Sequence, residues 1–315
     1  MQKRLILLIL TFIFINIGYS QIPSNNEGYI TINDDLKLHY RIIGAGSDTI
    51  VVPDVGSYYP YFKEAKSKHT FIVYDVRDRA YSDAVKDPSL IGMDYEISDL
   101  ENVRKFFNLS KMNLIGSSYL GGLVALYCAK YPNNVLSLVL VDPIPFTRGE
   151  HWKAFSNGVA KNRNPLLVKK VDSLRLAGVM ETDPVYFCKE YQKSVLVSFL
   201  SNKELVNKIV DKYPCDCENE WPQNMGRGTI GSLGNYDWSN SISTINVRTL
   251  IMHGTDDPIP VESSSEWASL IKDSRLLLFH SSGHMPVIEE SEIFFKAVNQ
   301  FINGKWPKKS TVIQK

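Results

Sequence analysis

The sequence predicts an α/β fold: a mostly parallel sheet with helices on both faces, interrupted once by a helical insertion. Three observations carry this. Short runs rich in β-branched residues alternate with longer helical patterns along most of the chain. The alternation lapses between residues 142 and 245, where charge-rich helical patterns succeed one another with no convincing strand between them. It then resumes through two further strand-helix units.

The chain opens with MQKRLILLILTFIFINIGYS, in which Lys3 and Arg4 precede an apolar run from Leu5 to Ile17 and then small or polar residues. That is the order of a secretory signal peptide, so cleavage is expected after Ser20 and the mature protein is expected to be secreted or periplasmic. The apolar run is shorter than the roughly 20 residues a spanning helix needs, and no membrane span is expected after cleavage. Removing Lys3 and Arg4 leaves 35 − 2 = 33 basic residues against 34 acidic ones. Such a balance offers no basic footprint for nucleic acid, while 44% hydrophobic residues allow a substantial core.

Strand-like runs lie at residues 37–43, 49–52, 70–74, 112–115, 135–141, 248–253 and 275–279. Helical patterns occupy 94–107, 119–131 and 262–271, and a last helix follows Ile288 with Phe294, Phe295, Val298, Phe301 and Ile302 on one stripe. The core therefore comprises 21–142 and 246–304, the insertion 143–245, with helical stretches at 152–160, 166–176 and 202–212. Residues 305–315, carrying Lys305, Lys308, Lys309 and Lys315, read as a solvated, frayed tail. Among the four cysteines, an exported chain permits a disulfide of Cys188 with Cys215 or Cys217. Cys128, in an apolar helix, reads as core. The Cys215-Asp216-Cys217 spacing has no second pair to make a metal site.

Gly116-Ser117-Ser118 joins the strand 112–115 directly to the helix that Pro132 stops. A serine at such a turn is thrust above the sheet with its hydroxyl exposed, and the residues two before and two after it need to be small. Centring on Ser118 gives Gly116 and Leu120; centring on Ser117 gives Ile115 and Tyr119, worse on both sides. Ser118 is the better nucleophile. A serine needs a base oriented by an acid, and in a fold of this kind they follow in the order Ser, acid, His on loops after strands. Gly254 to Pro258 supplies Asp256 and Asp257; Ser281 to His284 supplies the histidine. Spacing alone does not choose between the two aspartates. His253 and His280 end strands and read as packing or supporting groups.

Three motifs in this order resemble the α/β-hydrolase superfamily, in its proline-iminopeptidase-like and esterase-like branch. NLIGSSYLGGLVALYCAKYP resembles that branch's elbow and helix, LIMHGTDDPIP its acid loop, and SSGHMPVIEESEIFFKAVNQFI its histidine loop and terminal helix. The resemblance implies an eight-stranded sheet with a helical cap, and favours Asp257 as the acid because the family acid lies three residues after the glycine. It also implies an oxyanion hole from the amides of Tyr119 and of Val55, or of Asp54 one residue earlier.

The chain departs from the pattern twice. Leu120 stands where a small residue is usual, and Pro53-Asp54-Val55-Gly56 stands where the family carries His-Gly. Asp54 reads either as a group that binds a substrate amine or as a brace accepting backbone hydrogen bonds. Arg77, Asp78 and Arg79 read as ion-paired braces of the loop after the strand 70–74. The expected function is serine hydrolysis of a small ester, lactone or amide/peptide bond through an acyl-enzyme, requiring no metal or organic cofactor. A proline-iminopeptidase-type aminopeptidase is the alternative, with Glu218 and Glu220 beside Trp221 as candidate holders of an amino terminus. The other alternative is a non-catalytic binding protein that keeps the fold, for which Leu120 and Pro53-Asp54 argue.

Overall fold

In the computed structural model, which describes residues 25–65, 67–221 and 228–313, the strand-like runs become one eight-stranded sheet in the order β1-β2-β4-β3-β5-β6-β7-β8. The strands are β1 Glu27–Thr31, β2 Lys37–Ile43, β3 Thr49–Asp54, β4 Thr70–Asp75, β5 Met112–Ser117, β6 Val135–Val141, β7 Thr249–Gly254 and β8 Ser274–Phe279. β1–β2 and β2–β4 are antiparallel and the remaining neighbours are parallel. β5 and β7 are buried at every position, as parallel strands covered on both faces must be. β1 has no counterpart in the sequence reading. It is a five-residue edge strand with only Ile30 buried, too little apolar signal to mark it. The signal peptide expected over residues 1–20 lies outside the described residues.

The helices are α1 Tyr59–Glu64, α2 Met93–Phe106, α3 Tyr119–Lys130, α4 Glu150–Asn162, α5 Pro165–Leu176, α6 Val179–Thr182, α7 Pro184–Leu196, α8 Val206–Val210, α9 Thr229–Ser232, α10 Ser239–Ser243, α11 Val261–Leu270, α12 Pro286–Glu289 and α13 Ser291–Ile302. On one face of the sheet Leu100 and Val103 of α2, Leu123 and Val124 of α3 and Trp267 of α11 share a core. On the other, Phe62 of α1 packs with Phe294, Val298 and Phe301 of α13. Each such aromatic or aliphatic side chain stabilises the layer by about 1.5–3 kcal/mol.

Helices α4 to α10 all fall between β6 and β7. Within this cap Cys188 of α7 is disulfide-bonded to Cys215. Cys217 and Cys128 are buried free thiols, both pushed up to about 12 by burial. The C-terminal segment differs from expectation. Thr311 exchanges backbone hydrogen bonds of 2.9 and 2.8 Å with Leu276 of β8, and Trp306 packs on Phe301 beneath the Arg248 and Arg275 guanidiniums. Lys305, Lys308 and Lys309 are exposed, but the tryptophan between them anchors the tail, a contact that lysine-dominated composition conceals.

Candidate active site

The turn from β5 into α3 holds Ser118 at φ 55°, ψ −125°, a region costing a non-glycine residue of order 1–3 kcal/mol. Surrounding backbone imposes it. Ser118 N–H donates to Val141 O at 2.9 Å, and the Ser118 carbonyl accepts from Gly121 and Ile144. A Cβ at Gly116 would stand 2.3 Å from the Leu120 carbonyl oxygen and 2.6 Å from Val124 Cγ2. The crowding at position 120 thus comes from its backbone, while the Leu120 side chain packs into the core under the sheet. The expected need for a small residue applies to 116 and not to 120. Ser117 is buried, with its hydroxyl 2.9 Å from Tyr58 OH; Ser118 is half-buried at the elbow.

Two further loops at the same sheet edge bring Asp257 and His284 together. His284 Nδ1 lies 2.6 Å from Asp257 Oδ2, and Asp257 Oδ1 accepts from Ile259 N at 2.8 Å. Asp256 instead accepts from Ser201 Oγ of the cap. The histidine loop is held by backbone at close range: a Cβ at Gly283 would lie 2.2 Å from Phe199 O. His284 N–H donates to that same carbonyl at 2.7 Å, and the Phe199 ring sits 5.3 Å from the imidazole. Glu289 of α12 ties the loop to the cap by accepting from Gly283 N and Asn202 N, both at 2.8 Å. Phe199 and Glu289 were not legible in the sequence, since Phe199 acts through its backbone carbonyl and Glu289 through a carboxylate that gathers amides from separate segments. Among the described residues, the Ser118 hydroxyl makes no hydrogen bond to His284. The hydrogen-bonded contact among the three side chains is the one between Asp257 and His284.

The loop after β3 departs from its expected role. The Tyr119 amide opens α3, where the first N–H groups have no partner within the helix. The Val55 amide is engaged: it donates to Asp54 Oδ1 at 2.8 Å. The Asp54 carboxylate also accepts from Tyr58 N and Tyr59 N, each at 3.1 Å. Asp54 is fully buried, so it is a brace and not an exposed holder of a substrate amine. Burial, and then the charge of Asp75 facing it across β3 and β4, push its carboxyl up to about 6.

Glu220 is likewise committed. Its carboxylate is fully buried and accepts two bonds from Arg79 at 2.8 Å, one from Ala80 N at 2.9 Å and one from the Tyr213 hydroxyl. Neighbouring Asn219 donates to Ala80 O and Ser82 O. The segment expected to grip an amino terminus therefore locks the cap to the loop after β4. Trp221 Nε1 donates to Cys215 O and Glu218 is exposed. Arg77 makes a two-pronged pair with Asp99 at 2.6 and 2.7 Å, and Asp78 accepts from Val85 N. These are loop braces, of the kind the charges suggest.

Behind Asp257, ligand-type atoms of Asp142, His253 and Asp257 lie within 4.8 Å of one another. Protein hydrogen bonds already use most of them. His253 Nδ1 faces Ser264 Oγ at 2.8 Å and Nε2 faces Ile259 O at 3.1 Å, while Asp142 Oδ1 accepts from Gly254 N at 2.8 Å.

A strained serine at a strand-to-helix elbow, with an acid and a histidine on the loops after β7 and β8, defines an α/β protein of the nucleophile-elbow class. Residues 52–291 match the family described as alpha/beta hydrolase fold, and the chain belongs to that family and is a hydrolase of that fold. It is 27% identical over 255 residues to a proline iminopeptidase of Flavobacterium johnsoniae, covering 74% of this chain and 80% of that protein. A proline iminopeptidase of Saccharolobus solfataricus is 26% identical over 307 residues, covering 91% and 94%. Among solved structures, an esterase from Exiguobacterium antarcticum superposes with TM-score 0.64 at 20% identity, covering 88% of this chain and 99% of that one. A proline iminopeptidase of Mycobacterium smegmatis gives 0.66 at 16% identity, covering 88% and 97%.

Proposed function

We propose that this hydrolase cleaves a small ester or lactone through an acyl-enzyme on Ser118. The observation that carries this reading is the 2.6 Å contact of His284 Nδ1 with Asp257 Oδ2. It keeps the proton of the neutral imidazole on Nδ1 and leaves Nε2 to accept the Ser118 proton. Ser118 Oγ attacks the carbonyl carbon, His284 passes the proton to the departing alcohol, and water repeats the sequence to release the acid. The Tyr119 amide donates to the oxyanion; the Val55 amide joins it only when released by Asp54. An ester needs no anchor for a cationic amine, which agrees with a Glu220 neutralised by Arg79.

A second reading, an amino-terminal peptidase, is supported by the relatives named as proline iminopeptidases. Short acyl p-nitrophenyl esters tested beside aminoacyl naphthylamides separate the two: turnover of the naphthylamides alone overturns the ester reading. Fluorophosphonate labelling of wild type but not of Ser118→Ala is expected; equal or absent labelling of both rejects acyl transfer and favours a binding protein. Export is part of the proposal, and a mature N-terminus at Gln21 in mass spectrometry is its test.

A further inference from the structure

We propose that Asp142 is a positioning residue of this hydrolase: its buried Oδ2 carries a proton and donates it as a hydrogen bond to Asp257, leaving the pair with a single negative charge held beside His284. The inference rests on the acyl-transfer reading above and assigns a role to a residue that touches neither Ser118 nor substrate.

Asp142 follows β6 at φ 45°, a left-handed conformation for a non-glycine residue, and is fully buried. Its backbone N–H is tied to Met252 O at 2.9 Å. One carboxyl oxygen accepts from Gly254 N; the other, among the described residues, has no hydrogen-bond partner. A buried carboxylate oxygen without a donor is costly. A carboxyl oxygen of Asp257 lies within 4.8 Å of a carboxyl oxygen of Asp142; two ionised carboxylates cannot hydrogen-bond to each other, whereas a pair that holds one proton can.

The surroundings decide which partner holds it. Asp257 already has a partner on each carboxyl oxygen, the Ile259 amide on Oδ1 and the His284 ring on Oδ2. Asp142 has only the Gly254 amide. The other titratable groups facing it supply no cation. His253 lies 3.4 Å away, but with Nε2–H directed to Ile259 O and Nδ1 accepting from Ser264 it is neutral, and burial holds its pKa below the usual value. Glu289 and Tyr58 present a carboxylate and a phenol. Burial, followed by the charge of Asp257, accordingly holds the Asp142 carboxyl well above the ordinary carboxylate range. The consequence for catalysis is geometric and electrostatic. Asp257 is gripped from behind, and the imidazolium formed during acylation faces one negative charge and not two.

The test uses the full mature protein with Asp142→Ala and Asp142→Asn, and fluorophosphonate labelling rates from pH 5 to 9. Asp142→Ala, with its fold checked by circular dichroism, is expected to label about 10²-fold more slowly, the usual effect of loosening a catalytic group. Asp142→Asn, whose amide accepts from Gly254 and donates to Asp257, is expected to restore most of that loss with the acid limb of the profile unmoved. An acid limb displaced by about one pH unit or more in Asp142→Asn overturns the proposal, because it means that the wild-type residue is charged; so does Asp142→Ala labelling at the wild-type rate. The infrared difference spectrum at pH 8 reads the proton directly: a protonated-carboxyl C=O band is expected in wild type and lost in Asp142→Asn, and no difference overturns the assignment even if labelling fails. A wild type that resists the probe rejects the acyl-transfer reading separately.

Discussion

The two flanks of Ser118 are built from different materials. On the β7–β8 flank, Gly283 meets the Phe199 carbonyl so closely that an added Cβ would stand 2.2 Å from it, and Glu289 gathers amides from two segments around His284. On the β3–β4 flank, buried charge does the holding. Asp54 gathers the amides of Val55, Tyr58 and Tyr59, Asp75 faces His39 at 3.0 Å and Arg41 at 3.6 Å, and Glu220 locks to Arg79. Backbone contact fixes position without regard to pH; a buried carboxylate fixes it only in one protonation state. The His284 loop is therefore held in part by a close backbone contact that no change of pH loosens, whereas the loop after β3 is gathered by the Asp54 carboxylate.

Substitutions that strike each flank test that contrast. The largest effect is expected from Ser118→Ala and His284→Ala, each lowering kcat/KM by about 10³-fold or more; a loss below tenfold in steady-state assays would show that the β7–β8 flank is not the reactive one. Next is Glu220→Ala, which leaves the Arg79 guanidinium without its buried partner and is expected to cost about 3–5 kcal/mol in denaturant unfolding. A cost near that of an ordinary surface substitution would mean that the cap is held elsewhere.

Asp54 comes third. Its folded-state pKa of about 6 exceeds the ordinary 3.8, so between these values the folded state binds more protons than the unfolded one. Stability from this group is present at low pH and lost as pH rises from about 4 to 6, by up to about 3 kcal/mol. Asp54→Asn should flatten that part of the Tm–pH curve, and an unchanged slope refutes the assignment. The smallest effect is expected from Gly283→Ala. The Phe199 backbone must retreat, at about 1–3 kcal/mol, and labelling of Ser118 should slow because His284 moves with the loop; wild-type labelling would show that the close contact is dispensable.

Much of this was legible in the chain because it is local. Alternating runs specify strands and helices, Gly116 and Ser118 specify the elbow, and the Gly-Thr-Asp-Asp and Ser-Ser-Gly-His loops specify where an acid and a histidine emerge. Asp257 over Asp256 needed the resemblance to the family, and the short edge strand β1 left too little apolar signal to be seen.

The sequence by itself determined the order of elements and the chemical groups at one edge of the sheet, since both follow from periodicity and turn chemistry within a few residues. Only the tertiary structure decided what each polar group spends its hydrogen bonds on. It assigned Glu220 to Arg79 across 141 positions, gave the Val55 amide to Asp54, relieved Leu120 by sending its side chain into the core, and buried one Asp142 oxygen with no hydrogen-bond partner among the described residues. The physical reason is that a buried carboxylate or amide is satisfied by whichever partner folding carries within about 3 Å, and spacing along a chain does not encode that proximity.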